Sequence, residues 1–217
     1  LSGRGRKENL LEMLSKDPAL KGIKPLMVHR IDADTSGLVL LALTAESQKG
    51  LAEQFRLRSV TKEYWALVRG TPLQESGSVD LPVGIDPHNK NRMVIRGEDP
   101  KKCRTKWVVG ERFKGVTLLK VYPVTGRRHQ IRVHLKAMGY PLAVDPYYGG
   151  ASLLLSEFKK SYKLGKYQEE RPLMNRLTLH AHKLEFKHPV TGEPCVLTAE
   201  LAKDFRSSLA SLQKWAK

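Results

Sequence analysis

The chain has 217 residues, of which 41% are hydrophobic and 28% charged, which is the composition of a globular protein. No apolar run approaches the roughly 18 residues that a membrane-spanning helix requires, so we expect no membrane anchor. The basic N-terminus is not followed by an apolar segment, so a secretory signal is not expected either. Because the chain begins with Leu1, we expect further residues upstream. The length favours a single domain over residues 1–217.

The chain is strongly basic, with 38 Lys and Arg against 22 Asp and Glu and a formal net charge of +16. This excess is greater than solubility alone requires and predicts a polyanionic partner. The basic residues form short clusters, which suit phosphate backbones better than a uniformly solvated surface does. These clusters lie at residues 4–7, 101–104, 127–128 and 159–166. Nucleic acid is favoured over an acidic membrane, because no basic amphipathic helix with exposed Trp or Phe is evident.

The cysteines and histidines suggest neither a disulfide framework nor a metal centre. Cys103 and Cys195 are far apart and have no second Cys nearby, which favours free thiols in a reducing compartment, the cytoplasm. The pairs His129 with His134 and His180 with His182 lack a companion ligand at metal-binding spacing. We expect no metal and no cofactor.

Hydrophobic periodicity and turn residues predict an alternation of short strands and a few helices in the first half of the chain. We expect a short helix at 7–16, strands at 26–31 and 38–43, a helix at 46–57 capped by Thr44, and a strand at 60–68. Residues 71–102 are rich in turn formers and predict hairpins and exposed loops, with short strands at 79–83 and 92–95.

The second half of the chain continues the same pattern. We expect strands at 103–109 and 115–122 joined by 110–114, a helix at 127–138 ended by Gly139, a surface insert at 150–176 with a short helix at 153–162, a strand at 177–186, a turn at 190–193 and a helix at 198–215. Because the strands are joined by hairpin-length connections, the sequence predicts an α+β fold rather than a regular βαβ alternation.

A charged corner at residues 29–37 stands between the two strands expected at 26–31 and 38–43. Asp34, Thr35 and Ser36 are interpreted as an Asx or Ser/Thr turn that leads into a glycine. Asp32 is expected at the end of the preceding strand, with its side chain directed into a cleft. A two-metal nuclease that uses Asp32 and Asp34 would need more carboxylates than the neighbouring sequence offers.

This corner, HRIDADTSG, resembles the HRLD-x-x-TSG motif of RluA-type pseudouridine synthases. Four further regions follow in the family's order. Residues 62–70 resemble KxYxAxVxG, residues 126–134 resemble GRTHQIRVH, and residues 141–149 and 179–181 resemble later landmarks. The resemblance covers about residues 26–200, and ordered motifs of this kind are far more specific than one short pattern.

The resemblance implies roles for three residues. Asp32 corresponds to the catalytic carboxylate that attacks the target uridine, so that the base detaches, rotates and rejoins through carbon; the sequence does not distinguish attack on ribose from attack on the ring. Tyr64 corresponds to the tyrosine that packs against the target base and takes part in the final proton removal. Arg132 corresponds to the arginine that pairs with the catalytic Asp, and a guanidinium there would keep a carboxylate ionised and oriented. Without the motif, we would interpret Arg132 as part of a solvent-exposed basic face of the helix.

A second group of residues is expected to contact RNA: His29, Arg30, Lys62, Arg127, Arg128 and His129. Arg30 has two interpretations of equal weight. It could fill the gap left by a flipped nucleotide, or it could form a structural salt bridge with Asp34 or Glu63. Arg128 stands where the family usually has Thr, which adds charge.

The resemblance implies a pseudouridine synthase fold, with a bent, mainly antiparallel mixed sheet flanked by helices and an active-site cleft across the sheet. We therefore expect a monomeric isomerase for uridine in structured RNA, either ribosomal or transfer RNA. The family's first strand and any S4-like RNA-binding domain are missing from this sequence, so RNA capture would fall to the catalytic domain. The alternative is a catalytically silent RNA-binding or ribosome-assembly protein of the same fold.

Overall fold

A computed structural model describes residues 8–150, 152–165 and 168–217 of the chain. The basic cluster at 4–7, the first residue of the helix expected at 7–16, and residue 166 of the last basic cluster lie outside these ranges. The chain divides into two compact units that are discontinuous in sequence. The first comprises the described residues up to Arg30, Val39–Val60 and Phe186–Cys195; the second comprises Ile31–Leu38, Thr61–Glu185 and Val196–Lys217.

The described residues form four α-helices: α1 (Leu10–Leu14), α2 (Ala45–Arg56), α3 (Gln130–Ala137) and α4 (Lys203–Trp215). The strands are β1 (Leu26–Met27), β2 (Ser36–Gly37), β3 (Leu41–Ala42), β4 (Thr61–Arg69), β5 (Ser76–Asp80), β6 (Val83–Asp86), β7 (Asn89–Ile95), β8 (Glu98–Lys101), β9 (Arg104–Phe113), β10 (Val116–Pro123), β11 (Leu179–Lys187) and β12 (Pro194–Thr198). Within these ranges no helix is both long and apolar enough to cross a membrane. Cys103 and Cys195 are free thiols.

In the first unit, the helices begin at side chains that cap their free backbone N–H groups. The Asn9 side chain accepts from the Glu12 N–H while Glu12 accepts from the Asn9 N–H, a reciprocal cap that starts α1. The Thr44 hydroxyl accepts from the Ser47 N–H at 3.1 Å and starts α2, within one residue of the expected helix. The capping side chains of Asn9 and Thr44 therefore determine where α1 and α2 begin.

The two strands expected on either side of the charged corner are much shorter than predicted. β1 and β3 pair antiparallel over two residues each. The Leu40 N–H donates to His29 Nε2 at 2.8 Å instead of to a strand carbonyl, so the ladder ends there. Of residues 38–43 only Ala42 is buried. The prediction that Asp32 directly follows a strand was therefore wrong.

The second unit is built on a mixed sheet in the order β12-β11-β4-β10-β9-β5, with β2 added parallel to β11. β4 pairs antiparallel with both β10 and β11. Successive side chains of a strand point to opposite faces. Accordingly, Tyr64 and Ala66 belong to a core cluster with α3 residues such as Ile131, whereas Leu67 belongs to a cluster with α4 residues such as Phe205. The expected α+β class with a mixed sheet is confirmed.

A three-stranded sheet, β7-β6-β8, completes the second unit. The strand expected at 79–83 is divided between β5 and β6, because Pro82 has no N–H with which to continue a ladder. The β9–β10 hairpin turns at Lys114 and Gly115, where Gly115 has φ +69°, and not over 110–114. β9 instead continues past Gly110 through a register shift.

The segment expected as a surface insert has little regular structure, but it contributes to the core. Its one helical turn among the described residues, Leu155–Glu157, is of the 3-10 type and replaces the helix expected at 153–162. Leu153, Phe158 and Met174 are buried in the cluster that α4 covers. Further on, the helix expected at 198–215 starts only at α4, because residues up to Thr198 pair as β12.

Candidate active site

The corner after residue 31 is a turn closed by its backbone. The Thr35 N–H donates to the Asp32 carbonyl at 2.9 Å. Asp34 is exposed, and its carboxylate has no hydrogen bond to the described residues. Ser36 Oγ instead lies 2.9 Å from His180 Nδ1 and accepts from Arg176 Nη1 at 2.9 Å. The turn was predicted in the right place, but the Asx or Ser/Thr hydrogen bonds expected to form it were wrong.

A network of four side chains, the corner clamp, holds this turn: Ser36, Arg176, His180 and Asp204. Arg176 donates to both Asp204 carboxylate oxygens at 2.6 Å, and Asp204 also accepts from the Phe205 N–H at the start of α4. The hydrogen bond from Arg176 holds the pKa of Asp204 below its ordinary value. The clamp thus ties the residues after Asp32 to β11 and α4.

Gly37 is required by the close approach of β2 to β11. Its φ is +105°, and a Cβ there would lie 2.1 Å from the Ala181 carbonyl oxygen. The next residue, Leu38, donates its N–H to the same oxygen at 2.9 Å. Only glycine fits this position, which fixes the path of the chain leaving the Asp32 turn.

The helix α3 starts later than predicted, at Gln130 instead of Arg127, because His129 adopts the left-handed conformation with φ +53°. Gln130 then organises the preceding loop. Its side-chain oxygen accepts from the Thr125 hydroxyl at 2.7 Å and the Arg127 N–H at 3.0 Å. Its amide donates to the Arg104 carbonyl at 2.9 Å and the Thr105 hydroxyl at 3.0 Å. The buried amide is fully hydrogen-bonded, so the loop bearing Arg127 is rigidly placed.

Arg132 projects from α3 to two carboxylates. Its Nη1 donates to Asp32 Oδ2 at 3.2 Å. Its Nε and Nη2 donate to the two oxygens of Asp145 at 2.8 and 2.7 Å. The side chains of Arg132 and Asp145 are 3% and 0% exposed, whereas that of Asp32 is 18% exposed. The guanidinium is therefore anchored from inside, and Asp32 alone of the three reaches solvent.

Aromatic rings complete the surroundings of the guanidinium. The Arg132 Cζ lies 4.9 Å from the ring centroid of Tyr148 and 5.5 Å from that of Tyr147. The backbone N–H groups of both tyrosines donate to Asp145 Oδ1. Burial lowers the pKa of Arg132, but the hydrogen bonds and charge of Asp145 and the charge of Asp32 outweigh this effect, and the net shift is upward. Arg132 is a permanent cation beside Asp32.

Tyr64 lies on the central strand β4, opposite Val121 of β10 and Ala181 of β11. Its side chain is nearly buried, and its hydroxyl has no hydrogen-bond partner among the described residues. Burial, together with the charge of Asp32, raises the pKa of Tyr64 to about 12. The three residues expected in catalysis thus all lie in the second unit, where Asp32 is paired with Arg132 and its charge adds to the effect of burial on the Tyr64 pKa.

Four of the residues expected to contact RNA also lie in the second unit. Arg127 and Arg128 are exposed, and Arg128 Nη1 donates to the Lys90 carbonyl at 3.2 Å. Lys62 Nζ lies 3.4 Å from the Thr125 carbonyl oxygen. His129 Nδ1 lies 2.7 Å from the Tyr148 hydroxyl, and burial, despite the opposing charge of Asp32, lowers its pKa. Burial therefore favours the uncharged form of His129.

The two remaining residues expected to contact RNA belong to the first unit. His29 is half-buried, stacks on Phe55 with ring centroids 4.7 Å apart, and accepts the Leu40 N–H. These contacts support the ring in a structural role, and its contact with RNA stays a prediction. Arg30 is exposed. Glu63, one of the two partners offered above for a structural salt bridge of Arg30, lies in the second unit. There its carboxylate accepts hydrogen bonds from the Trp65 indole and the Tyr122 hydroxyl at 2.9 and 3.0 Å.

Sequence reasoning gave no role to Asp145, Tyr148 or Gln130. Asp145 had a detectable signal, because a carboxylate that follows the apolar residues 141–144 has to be paired if it is buried. Nothing local indicated that its partner would be Arg132. In the ranges that the structure describes, no group of three or more His, Cys, Asp or Glu side chains is placed to hold a metal ion.

Comparison with known proteins adds a family to this geometry. A family model described as RNA pseudouridylate synthase matches residues 2–137. A Xanthomonas campestris pv. campestris protein named ribosomal large subunit pseudouridine synthase D is 36% identical over 203 residues, covering 93% of this chain and 59% of that protein. A Yersinia pestis protein named ribosomal large subunit pseudouridine synthase C is 37% identical over 189 residues, covering 87% of this chain and 55% of that protein. The chain thus spans somewhat more than half the length of these relatives.

Among solved structures, human RNA pseudouridylate synthase domain containing 4 superposes with a TM-score of 0.68 at 26% identity, covering 94% of this chain and 80% of that chain. Human RNA pseudouridylate synthase domain containing 1 gives a TM-score of 0.67, also at 26% identity, covering 88% of this chain and 74% of that chain. The similarity therefore extends over both sequence and fold.

Proposed function

The chain belongs to the RluA-type RNA pseudouridine synthase family, and we propose from this that it isomerises uridine to pseudouridine in RNA, with Asp32 as the catalytic carboxylate. The observation that carries the proposal is the pairing of Asp32 with a buried arginine that is itself fixed by a second carboxylate. This arrangement presents a carboxylate that is oriented by a charge-assisted hydrogen bond and is partly accessible to solvent.

The reaction needs a nucleophile, a freely turning base and a proton acceptor. Asp32 attacks the target nucleotide, and the bond between the uracil nitrogen and the ribose carbon breaks. The detached base rotates and forms a carbon–carbon bond to the same ribose carbon, and the bond between the nucleotide and Asp32 breaks, which regenerates the free carboxylate. The proton on the ring carbon is then lost, while the freed nitrogen gains one, so substrate and product have the same atoms. This sequence of steps draws on no external oxidant or reductant.

The other two residues have distinct tasks. Arg132 orients Asp32 through a charge-assisted hydrogen bond. Tyr64 offers a rigid ring from the central strand for the base to pack against. Because its pKa is about 12, its hydroxyl is protonated at neutral pH and cannot serve as a pre-formed phenolate base. In the final proton removal it acts as a hydrogen-bonding relay.

The proposed substrate is ribosomal RNA, with transfer RNA as the second candidate. The names of these relatives refer to the large ribosomal subunit. The loop with Arg127 and Arg128 is positioned by Gln130 beside α3 and suits phosphate contacts. Together with Lys62 and His129, this loop forms the RNA surface that we propose for the second unit. Arg30 and His29 of the first unit are proposed as further RNA contacts. We also propose that the protein acts as a monomer in the cytoplasm, without a cofactor.

The test is a pair of isosteric variants at neighbouring positions. Asp32→Asn removes the proposed nucleophile, and Asp34→Asn removes the same charge from an exposed side chain two residues later. Pseudouridine formed in ribosomal RNA should be abolished by the first change and unaltered by the second, with RNA affinity similar for both. A fully active Asp32→Asn variant would refute the mechanism.

A catalytically silent RNA-binding protein of the same fold is the second candidate. Binding alone requires a basic surface but no buried Arg132–Asp145 pair behind an accessible carboxylate. If the wild-type protein binds ribosomal RNA and forms no pseudouridine in it, this candidate is correct. Activity that persists in EDTA would exclude the third hypothesis, a metal-dependent nuclease.

A further inference from the structure

A lysine-lined groove of about 500 Å³ lies in the second unit and shares no residue with the candidate active site. We call it the lysine groove; it is lined by Lys114, Phe158, Lys159, Lys160, Ser161, Lys214, Trp215 and Lys217. The turn between β9 and β10 supplies Lys114, and the end of α4 supplies Lys214 and Trp215. Backbone hydrogen bonding joins these elements, because the Lys114 N–H donates to the Ala216 carbonyl at 2.7 Å.

The groove is rich in uncompensated positive charge. Of its lysines, Lys217 lies 3.8 Å from a carboxylate oxygen of Glu111. Within the part of the chain that the structure describes, Lys114, Lys159, Lys160 and Lys214 have no carboxylate within 4.0 Å. Like charges gathered in one concavity repel each other, and an anionic ligand would relieve that repulsion.

Two of the lysines are held in place by an aromatic ring. Lys159 Nζ lies 4.6 Å and Lys214 Nζ lies 4.9 Å from the ring centroid of Trp215, which is 36% exposed. Cation–π attraction restricts both ammonium groups without neutralising them. Phe158 and Ala216 are buried in the core cluster beneath. The ammonium groups are therefore held beside a well-packed part of the core, which lowers the conformational entropy lost when an anion binds.

The lysine groove lies on the opposite face of the sheet from Tyr64. Phe158 belongs to the cluster on the α4 face, whereas Tyr64 belongs to the cluster on the α3 face. Along β10, Val121 pairs with Tyr64, and Val116 is at the end next to Lys114. Five residues of strand separate these two positions, which corresponds to roughly 17 Å. A ligand at the groove therefore cannot be the nucleotide at Asp32.

We propose that the lysine groove binds the phosphodiester backbone of a second segment of the RNA substrate, outside the segment that carries the target uridine. This inference rests on the proposed function. It also defines a substrate class, because the RNA must supply a second backbone segment on the α4 side of the sheet in addition to the segment at Asp32. A stem-loop that fills only the Asp32 side would leave the groove empty. The groove contributes affinity and no chemistry.

The test compares two triple variants with equal loss of charge. Lys159→Gln, Lys160→Gln and Lys214→Gln together neutralise the groove. The matched control neutralises three exposed lysines of the first unit, Lys21, Lys24 and Lys49, which have no ion pair among the described residues. Affinity for a long ribosomal RNA fragment and for a short stem-loop with the target uridine is measured over a range of salt concentrations, in the catalytically inactive Asp32→Asn background.

With the long RNA, the groove variant should lose affinity, and the slope of log K against log salt should fall by about 0.7–0.9 for each phosphate contact removed. With the stem-loop, the groove variant and the control should bind alike. In the active protein, the groove variant should raise KM for the long RNA and leave kcat unchanged. Groove and control variants with the same slope on long RNA would overturn the proposal, and so would equal losses on both RNAs.

The two proposals fail in different ways. Absence of pseudouridine in every RNA treated with the wild-type protein would refute the proposed function, whereas the binding slopes test the groove without any turnover. Thermal unfolding of each triple variant tests whether the fold is retained. If the groove variant unfolds like the wild type and its salt slope is unchanged, the proposal that the lysine groove binds RNA is refuted, and the proposed function is not affected.

Discussion

Arg132 donates two hydrogen bonds to Asp145, at 2.7 and 2.8 Å, and one longer hydrogen bond to Asp32, at 3.2 Å. The shorter hydrogen bonds thus belong to the buried Arg132–Asp145 pair, and Asp32, the carboxylate proposed for catalysis, accepts from the third nitrogen, Nη1. Asp145 acts through Arg132 as a positioning residue. It fixes the direction in which Nη1 points, and it accepts hydrogen bonds from Nε and Nη2 of a guanidinium whose burial requires a paired counter-ion.

Asp145→Asn is expected to lower kcat by on the order of tenfold or more, or ~1.4 kcal/mol, with little change in KM, because Asp32 loses its fixed partner while the RNA surface is untouched. The free energy of unfolding should also fall by about 3 kcal/mol, since a buried charge loses its counter-ion. Glu157→Gln is the control, because it breaks the Arg69–Glu157 ion pair elsewhere in the same unit. A control variant with the same loss of kcat would contradict the positioning role.

Tyr64→Phe keeps the ring and removes the hydroxyl. Because burial and Asp32 raise the Tyr64 pKa to about 12, the wild-type rate should show no change from Tyr64 ionisation between pH 6 and about pH 10. The variant should bind RNA normally, but loss of the proton from the ring carbon should become slow, which tritium release from a labelled uridine measures. Tyr64→Leu, which also removes the ring, should weaken the earlier steps as well. If Tyr64→Phe releases tritium at the wild-type rate, the hydroxyl has no part in proton removal.

The buried histidines make the fold sensitive to acid. Burial lowers the pKa of His134 and of His180 below the ordinary value. His134 accepts or donates at both ring nitrogens, with Thr105 Oγ1 at 2.9 Å and the Leu81 carbonyl at 3.0 Å, and is fully enclosed. Between its lowered pKa in the folded state and the unfolded pKa of about 6.5, the unfolded chain binds more protons.

The free energy of unfolding should therefore decrease as the pH falls below about 6.5. Urea unfolding at a series of pH values between neutral and acidic measures this slope. His134→Gln should flatten it, whereas His88→Gln, at an exposed position, should leave it unchanged. Equal slopes in the wild type and His134→Gln would show that His134 is not the group that titrates.

Gly37→Ala tests the close approach that directs the chain after Asp32. Both Gly37 and Gly149 have positive φ, +105° and +101°, so alanine strains the backbone at either position by about 1–3 kcal/mol. Only at Gly37 would the new Cβ also meet the Ala181 carbonyl oxygen, because nothing lies within 4 Å at Gly149. Gly37→Ala should therefore lower the melting temperature clearly more than Gly149→Ala does; similar decreases would show that the β2–β11 contact can relax.

Local signals in the sequence predicted several elements well. The Thr44 cap, the strand β4 with its adjacent aromatic residues Tyr64 and Trp65, and the Gly139 stop of α3 depend on neighbouring residues alone, and each lies within one or two residues of its expected position. At Gly139, φ is +84°, and the Tyr140 N–H donates back to the Leu135 carbonyl, which closes the helix end. Such features need no information from distant parts of the chain.

Elements that depend on distant partners were less predictable. The strands around the charged corner are short because an imidazole takes the Leu40 N–H, and β2 pairs with a strand almost 150 residues away in sequence, Ser36 opposite His180. The hydroxyl of Ser36 bonds to Arg176 instead of closing its own turn. No local pattern specifies partners at such separations, because tertiary contacts compete with turn propensities and prevail.

The sequence by itself determined the basic character of the chain, its α+β class and, through ordered motifs, its family, because these properties depend on composition, periodicity and the identity of neighbouring residues. The tertiary structure alone decided that Arg132 serves two carboxylates at once, that Asp145 is the inner one, and that lysines from three separate segments line one groove. The physical reason is that a buried charge must find its counter-ion in space, and the folded chain brings together residues that the sequence keeps far apart.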